Sequence, residues 1–178
     1  MAYYKRIIGE KVYLSPISTD DTDIFMKWVN DPEIAYTTTF FTKVISLTQE
    51  REILESLAKS GNTFSIISLK NNRLIGNCSF FNIDEINRTA EIGIMIGEKD
   101  YQSKGYGTDA LRLLIKFGFE NRNYNNICLH VYPFNKGAVA CYKKVGFRHQ
   151  GVRREALIRG NKKYDLLYMD ILADEYFA

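Results

Sequence analysis

The chain has 178 residues, of which 46% are hydrophobic, 25% charged and 13% aromatic, a composition that belongs to ordered globular proteins and excludes disordered and fibrous classes. Its 24 Lys and Arg against 21 Asp and Glu leave a net charge of +3, and no basic run is longer than a pair, so a nucleic-acid partner is not expected. No segment approaches the ~20 apolar residues of a membrane span, the N-terminal residues carry no hydrophobic region of signal-peptide length, and three widely spaced cysteines read as reduced core thiols. A cytoplasmic protein without membrane contact is the expectation.

In chain order, residues 11–14 read as a short strand, and Ser18 and Thr19 are candidate caps for a helix that places Ile24, Phe25, Trp28 and Val29 on one face before Asp31-Pro32 stops it. Ser46-Leu47-Thr48-Gln49 has capping-box spacing, and the helix after it ends at Gly61. The period then changes to that of strands over residues 63–69, 74–82 and 89–96, an antiparallel meander turning at Asn71-Asn72. A glycine-rich turn from Gln102 opens a helix bearing Ala110, Leu111, Leu114, Ile115 and Gly118, and a strand at 126–132 follows it in parallel crossover. A short helix near 137–145 and a hairpin of 147–158 and 163–172 around Gly160-Asn161 complete the chain. The predicted class is α+β, one mixed sheet with helices on both faces, in a single domain spanning 1–178.

Chemistry concentrates in residues 90–108, where a strand and a short loop lead to glycines at a helix start. Free N–H groups there and the positive end of the helix dipole suit an anion, and Gly105 and Gly107 admit a pyrophosphate without a Cβ in the way. No Walker-type G-x-x-x-x-G-K-[ST] is present. Gly105-Tyr106-Gly107-Thr108-Asp109-Ala110 satisfies G-x-G-x-x-A, but a dinucleotide fold places that turn directly after its strand, and here a loop intervenes.

Two spaced motifs separate these readings. Gln102-Ser103-Lys104-Gly105-Tyr106-Gly107 matches Q/R-x-x-G-x-G/A, and Asn135, Ala138, Tyr142, Lys144, Gly146 and Phe147 match N-x-x-A-x-x-x-Y-x-K-x-G-F. In these blocks the chain resembles the GNAT superfamily of acetyl-CoA-dependent N-acetyltransferases. Its strand Ala90-Glu91-Ile92-Gly93-Ile94-Met95-Ile96-Gly97 and the segment around Arg153-Arg154-Glu155-Ala156 are similar to the RimJ/RimL-like branch, which includes ribosomal-protein N-terminal and spermidine acetyltransferases. The resemblance implies a GNAT fold with a mostly antiparallel sheet of about six to seven strands. It implies acetyl-CoA as co-substrate, no metal, and direct attack by a primary amine in a ternary complex.

The resemblance also assigns roles. Ile94, Met95 and Ile96 would pair through their backbone with the pantetheine arm, and Gln102, Ser103, Lys104, Gly105, Tyr106, Gly107 and Thr108 would hold the diphosphate. Asn135 and Lys144 belong to the cofactor-binding block; for Asn135 an Asx turn after Pro133 is the competing reading. Tyr142 is the acid, a phenol that protonates the departing thiolate. For the base the candidates are Glu91, Glu33 or a water chain, with Glu91 favoured, and a backbone N–H near Met95 is the expected oxyanion donor. His130 reads as a packed strand residue because it lacks zinc-ligand spacing, and Cys141 as a buried thiol. The acceptor is a peptide or protein N-terminus or a small amine, with a polyamine or a non-catalytic acyl-CoA-binding module as alternatives. The C-terminal hairpin and edge strands suit a homodimer.

Overall fold

The computed structural model describes residues 3–178. Its strands are β1 (Ile7–Ile8), β2 (Val12–Pro16), β3 (Thr63–Ser68), β4 (Leu74–Asp84), β5 (Thr89–Ile96), β6 (Asn126–Val131), β7 (Arg148–Arg159) and β8 (Lys162–Leu172). Its helices are α1 (Thr22–Val29), α2 (Pro32–Tyr36), α3 (Leu47–Ser60), α4 (Tyr106–Glu120), α5 (Lys136–Lys144) and α6 (Ala173–Phe177). The strands form one mixed sheet in the order β1-β2-β3-β4-β5-β6-β8-β7, with β5 and β6 parallel. That is eight strands where about six to seven were expected, because the pair Ile7-Ile8 is too short to show a period. It closes on β2 through a tight turn, with Ile8 opposite Tyr13.

Other departures have local causes. Pro32 does not merely end a helix: with Asp31 capping Glu33 N–H at 2.9 Å, it occupies the first turn of α2, where its missing N–H costs nothing. Ser18 caps a 3-10 turn at Thr19–Asp21 that feeds α1. The capping box of Ser46 and Gln49 forms at α3, and Gly61 ends that helix with φ of +66°. Cys78 is fully buried, but Cys128 and Cys141 are only partly so, and no disulfide forms among the described residues.

Contact density divides the chain into two compact units, residues up to Ser79 with Ile94–Ala110, and Phe80–Gly93 with Leu111–Ala178. In the first, Tyr13, Ile17, Phe25, Trp28, Ile34, Leu54, Ile67 and Leu74 make one apolar cluster, against which Met95 packs. Gly97 lies so close under the Trp28 indole that a Cβ there would run into the ring, and Trp28 Nε1 donates to Glu98 Oε1 at 3.1 Å.

In the second unit strand alternation sorts residues between two faces. Ala90, Ile92, Ile127, Leu129, Met169 and Ile171 share one face and are each at most 4% exposed. On this side Gly118 of α4 lets the helix approach: an added Cβ would sit 2.7 Å from Ile127 Cδ1 and 3.1 Å from the Phe80 ring. The opposite face presents Glu91, Cys128, His130, Tyr168 and Asp170, all half-buried, in register across β5, β6 and β8.

Candidate active site

The glycine turn is built within the first unit. Ser103 and Gly105 take φ of +57° and +86°, which curls the backbone before α4. Gly105 is needed for that conformation. Gly107 is not: its φ is ordinary, and an added Cβ would meet Ile96 Cγ1 at 3.5 Å, a normal contact, so neither backbone nor space requires glycine there.

Three ties hold the turn. Gln102 Nε2 donates to the Ile96 carbonyl at 2.8 Å, joining the turn to the end of β5. Lys11 Nζ donates to the Lys104 carbonyl at 2.8 Å and lies 5.5 Å from the Tyr106 ring centroid. Asp109, 7% exposed, accepts from the N–H groups of Lys11 at 2.8 Å, Val12 at 3.0 Å and Glu10 at 3.3 Å. Its charge is thereby satisfied by backbone donors and also complements the α4 dipole. Lys104 turns its own ammonium to the Asp100 carbonyl at 2.6 Å. Thus Gln102 and Lys104 contribute their side chains to the architecture of the turn, while Gly105, Tyr106, Gly107 and Thr108 present the start of the helix.

Beside this turn, Ile94, Met95 and Ile96 are half-buried and lie beyond the parallel ladder with β6, which covers Thr89–Glu91 and Asn126–Cys128. Glu33 is ion-paired with Lys99 at 2.7 Å, and Lys99 also holds Asp31 at 3.0 Å. Glu33, a candidate base, thus stands in an ion pair exposed at the surface.

The second unit holds Glu91 and His130 on its polar face and Tyr142 on α5. Glu91 accepts from Asn82 Nδ2 at 2.9 Å through one oxygen and from His130 Nδ1 through the other. The His130 hydrogen bond, helped by Asn82, holds its carboxyl below the usual range against the opposing effect of burial. Tyr142 of α5 is 6% exposed and stacks edge-on with Phe147, centroids 5.8 Å apart. Burial pushes its phenol well up, so it stays protonated throughout the working pH range. Asn135 caps α5, Oδ1 accepting from Ala138 N–H at 3.1 Å, which leaves its amide nitrogen for a ligand. Lys144 is exposed at the end of that helix.

Sequence alone gives His130 as a packed strand residue and gives no role to Asn82, whereas the structure joins both to Glu91. Alternation does place Cys128 and His130 on one face, but only the pairing of Glu91 with Cys128 brings His130 to the carboxylate. Lys11 and Asp109 were missed for the same reason, being close in space and far apart in the chain. Among the described residues no group of His, Cys, Asp and Glu is arranged to hold a metal ion, and no helix is long and apolar enough to cross a membrane.

The first unit thus carries a glycine turn at a helix start, and the second a carboxylate bonded to an imidazole and, separately, a buried phenol. In sequence comparison the model of the acetyltransferase (GNAT) domain matches residues 11–148, and the chain belongs to that family. It is 29% identical over 171 residues to the uncharacterized N-acetyltransferase p20 of Bacillus licheniformis, covering 94% of this chain and 96% of that one. A Bacillus subtilis protein provisionally named ribosomal N-acetyltransferase YdaF is 34% identical over 103 residues, 58% of this chain and 56% of its own. The spermidine N-acetyltransferase of Vibrio cholerae, crystallised with CoA and spermine, superposes with a TM-score of 0.84 at 23% identity, over 94% of this chain and 99% of that one. The chain is thus an acetyl-CoA-dependent N-acetyltransferase with the GNAT fold.

Proposed function

We propose that the chain acetylates a primary amine, the N-terminus of a peptide or protein or a small amine, by direct attack in a ternary complex, the two units acting as one catalytic domain. The observation that carries this reading is the half-open polar face on which Glu91 is kept ionised beside His130. An alkylammonium with a pKa near ~10.4 must lose a proton before it attacks, and this pair provides the base. The turn from Gln102 to Thr108 receives the diphosphate, Asn135 and Lys144 add polar contacts to the coenzyme, and the backbone of Ile94, Met95 and Ile96 pairs with the pantetheine arm. An N–H near Met95 serves as oxyanion donor. Tyr142 supplies a proton to the departing sulfur.

A single amine is favoured over a polycation by the hairpin that carries Tyr168 and Asp170, which continues into exposed Arg153, Arg154, Lys162 and Lys163. The polyamine reading draws on a different feature, a surface pocket lined by Asp20, Asp23 and Glu55 with Thr19, Thr22 and Arg51. Free-thiol release from acetyl-CoA across spermidine, spermine, aminoglycosides, amino acids and peptides with Ala, Ser or Thr N-termini decides between them. Release with peptides alone supports the first acceptor class, and release with polyamines alone replaces it with the second.

A further inference from the structure

Glu91 is the less accessible member of its pair with His130. Both of its oxygens already accept hydrogen bonds, one from Asn82 Nδ2 at 2.9 Å and one from His130 Nδ1. The His130 side chain is 32% exposed against 15% for Glu91, so the imidazole is the more open of the two to a ligand from solvent. An ionised carboxylate only accepts, hence the hydrogen of their bond sits on Nδ1, and in the neutral ring Nε2 is left with a lone pair. Tyr168, opposite His130 on β8, lies with its ring centroid 6.2 Å away. The other groups in this row are the Cys128 thiol, pushed up by burial and by the charges of Glu91 and Asp170, and Asp170 itself, which accepts from Asn126 Nδ2 at 3.2 Å.

We propose that His130, through Nε2, is the catalytic residue that takes the proton from the acceptor amine, and that Glu91 is the positioning residue that orients its ring. The assignment rests on the acetyltransferase reading above and names the base within it. The ammonium gives one proton to Nε2, which passes it to water. The nitrogen lone pair then forms the C–N bond to the thioester carbonyl carbon, and the surplus proton on that nitrogen goes to Nε2 and from there to water, which returns the imidazole to its neutral form. As the C–S bond breaks, its electron pair leaves with sulfur, which takes a proton from the Tyr142 hydroxyl. Water restores the Tyr142 proton, and each turnover releases one net proton. Carboxylate and imidazole thus divide the work, one fixing the tautomer and the other exchanging protons.

The test compares wild type, His130→Gln, His130→Ala and Glu91→Gln in thiol release at saturating acetyl-CoA, with coenzyme affinity measured separately by titration. The expected loss in kcat is about 100- to 1000-fold for His130→Gln and about tenfold for Glu91→Gln, with acetyl-CoA affinity unchanged in both. Added imidazole should restore part of the activity of His130→Ala, a rescue that a structural role would not show. The ascending limb of the pH–rate profile should persist in Glu91→Gln and vanish in His130→Gln. A Glu91→Gln enzyme that loses the limb together with most of its activity makes Glu91 the base and overturns the proposal; this readout does not depend on the His130 variants folding. Full activity in His130→Gln also overturns it while leaving the acetyltransferase reading intact, whereas a wild type inactive on every amine overturns both.

Discussion

Glu50 offers a quantitative check on the packing of the first unit. It sits on the core-facing side of α3, is 2% exposed, and its Oε2 has no hydrogen-bond partner. Burial alone lifts its carboxyl from the ordinary 4.5 to about 7. Between those two values the native state binds a proton that the unfolded chain has released, so stability falls by up to about 1.4 kcal/mol per pH unit. Across the whole interval, the loss comes to about 3 kcal/mol. Glu50→Gln keeps the shape and removes the titration. Whatever fixed penalty its amide incurs, its stability relative to wild type should rise by about 3 kcal/mol from pH 4.5 to pH 7.5 and then level off. Urea unfolding of both proteins at half-unit pH steps reads this difference directly. Parallel stability curves would show that Glu50 is solvated or paired in the folded state and would refute the reasoning.

Asp109→Ala removes the acceptor for the N–H groups of Glu10, Lys11 and Val12, so it should lower stability by about 3 kcal/mol in urea titration and weaken acetyl-CoA binding by loosening the glycine turn. Gly118→Ala drives a methyl to 2.7 Å from Ile127 Cδ1 and should cost about 1–3 kcal/mol, seen as a lower melting temperature. Unchanged melting would mean that α4 shifts away from the sheet without penalty.

Long periodic segments were legible because one physical rule dominates each of them. The α3 capping box and its closing Gly61, the β5 span and the Gly160 turn all appear where local chemistry demands them. Elements of a few residues, such as β1 and α6, were invisible because so short a run has no period, and Pro32 was read as a stop because its role depends on the Asp31 cap beside it. The glycine turn could be read since its requirement is conformational and local. The partners of Glu91 could not: His130 is 39 residues away and Asn82 is on a neighbouring strand, joined only once register is set. Sequence alternation says which face a residue takes, and only the assembled sheet says what it meets there.

The most direct test of the account is the turnover of Tyr142→Phe. The phenol is 6% exposed and packed on Phe147, so Phe preserves the packing and deletes only the hydroxyl. Thiol release with the preferred amine should fall about 100-fold in kcat while acetyl-CoA affinity, measured by titration, stays within about twofold. Undiminished turnover in a properly folded Tyr142→Phe would contradict the assignment of Tyr142 to the departing sulfur, and with it the central claim.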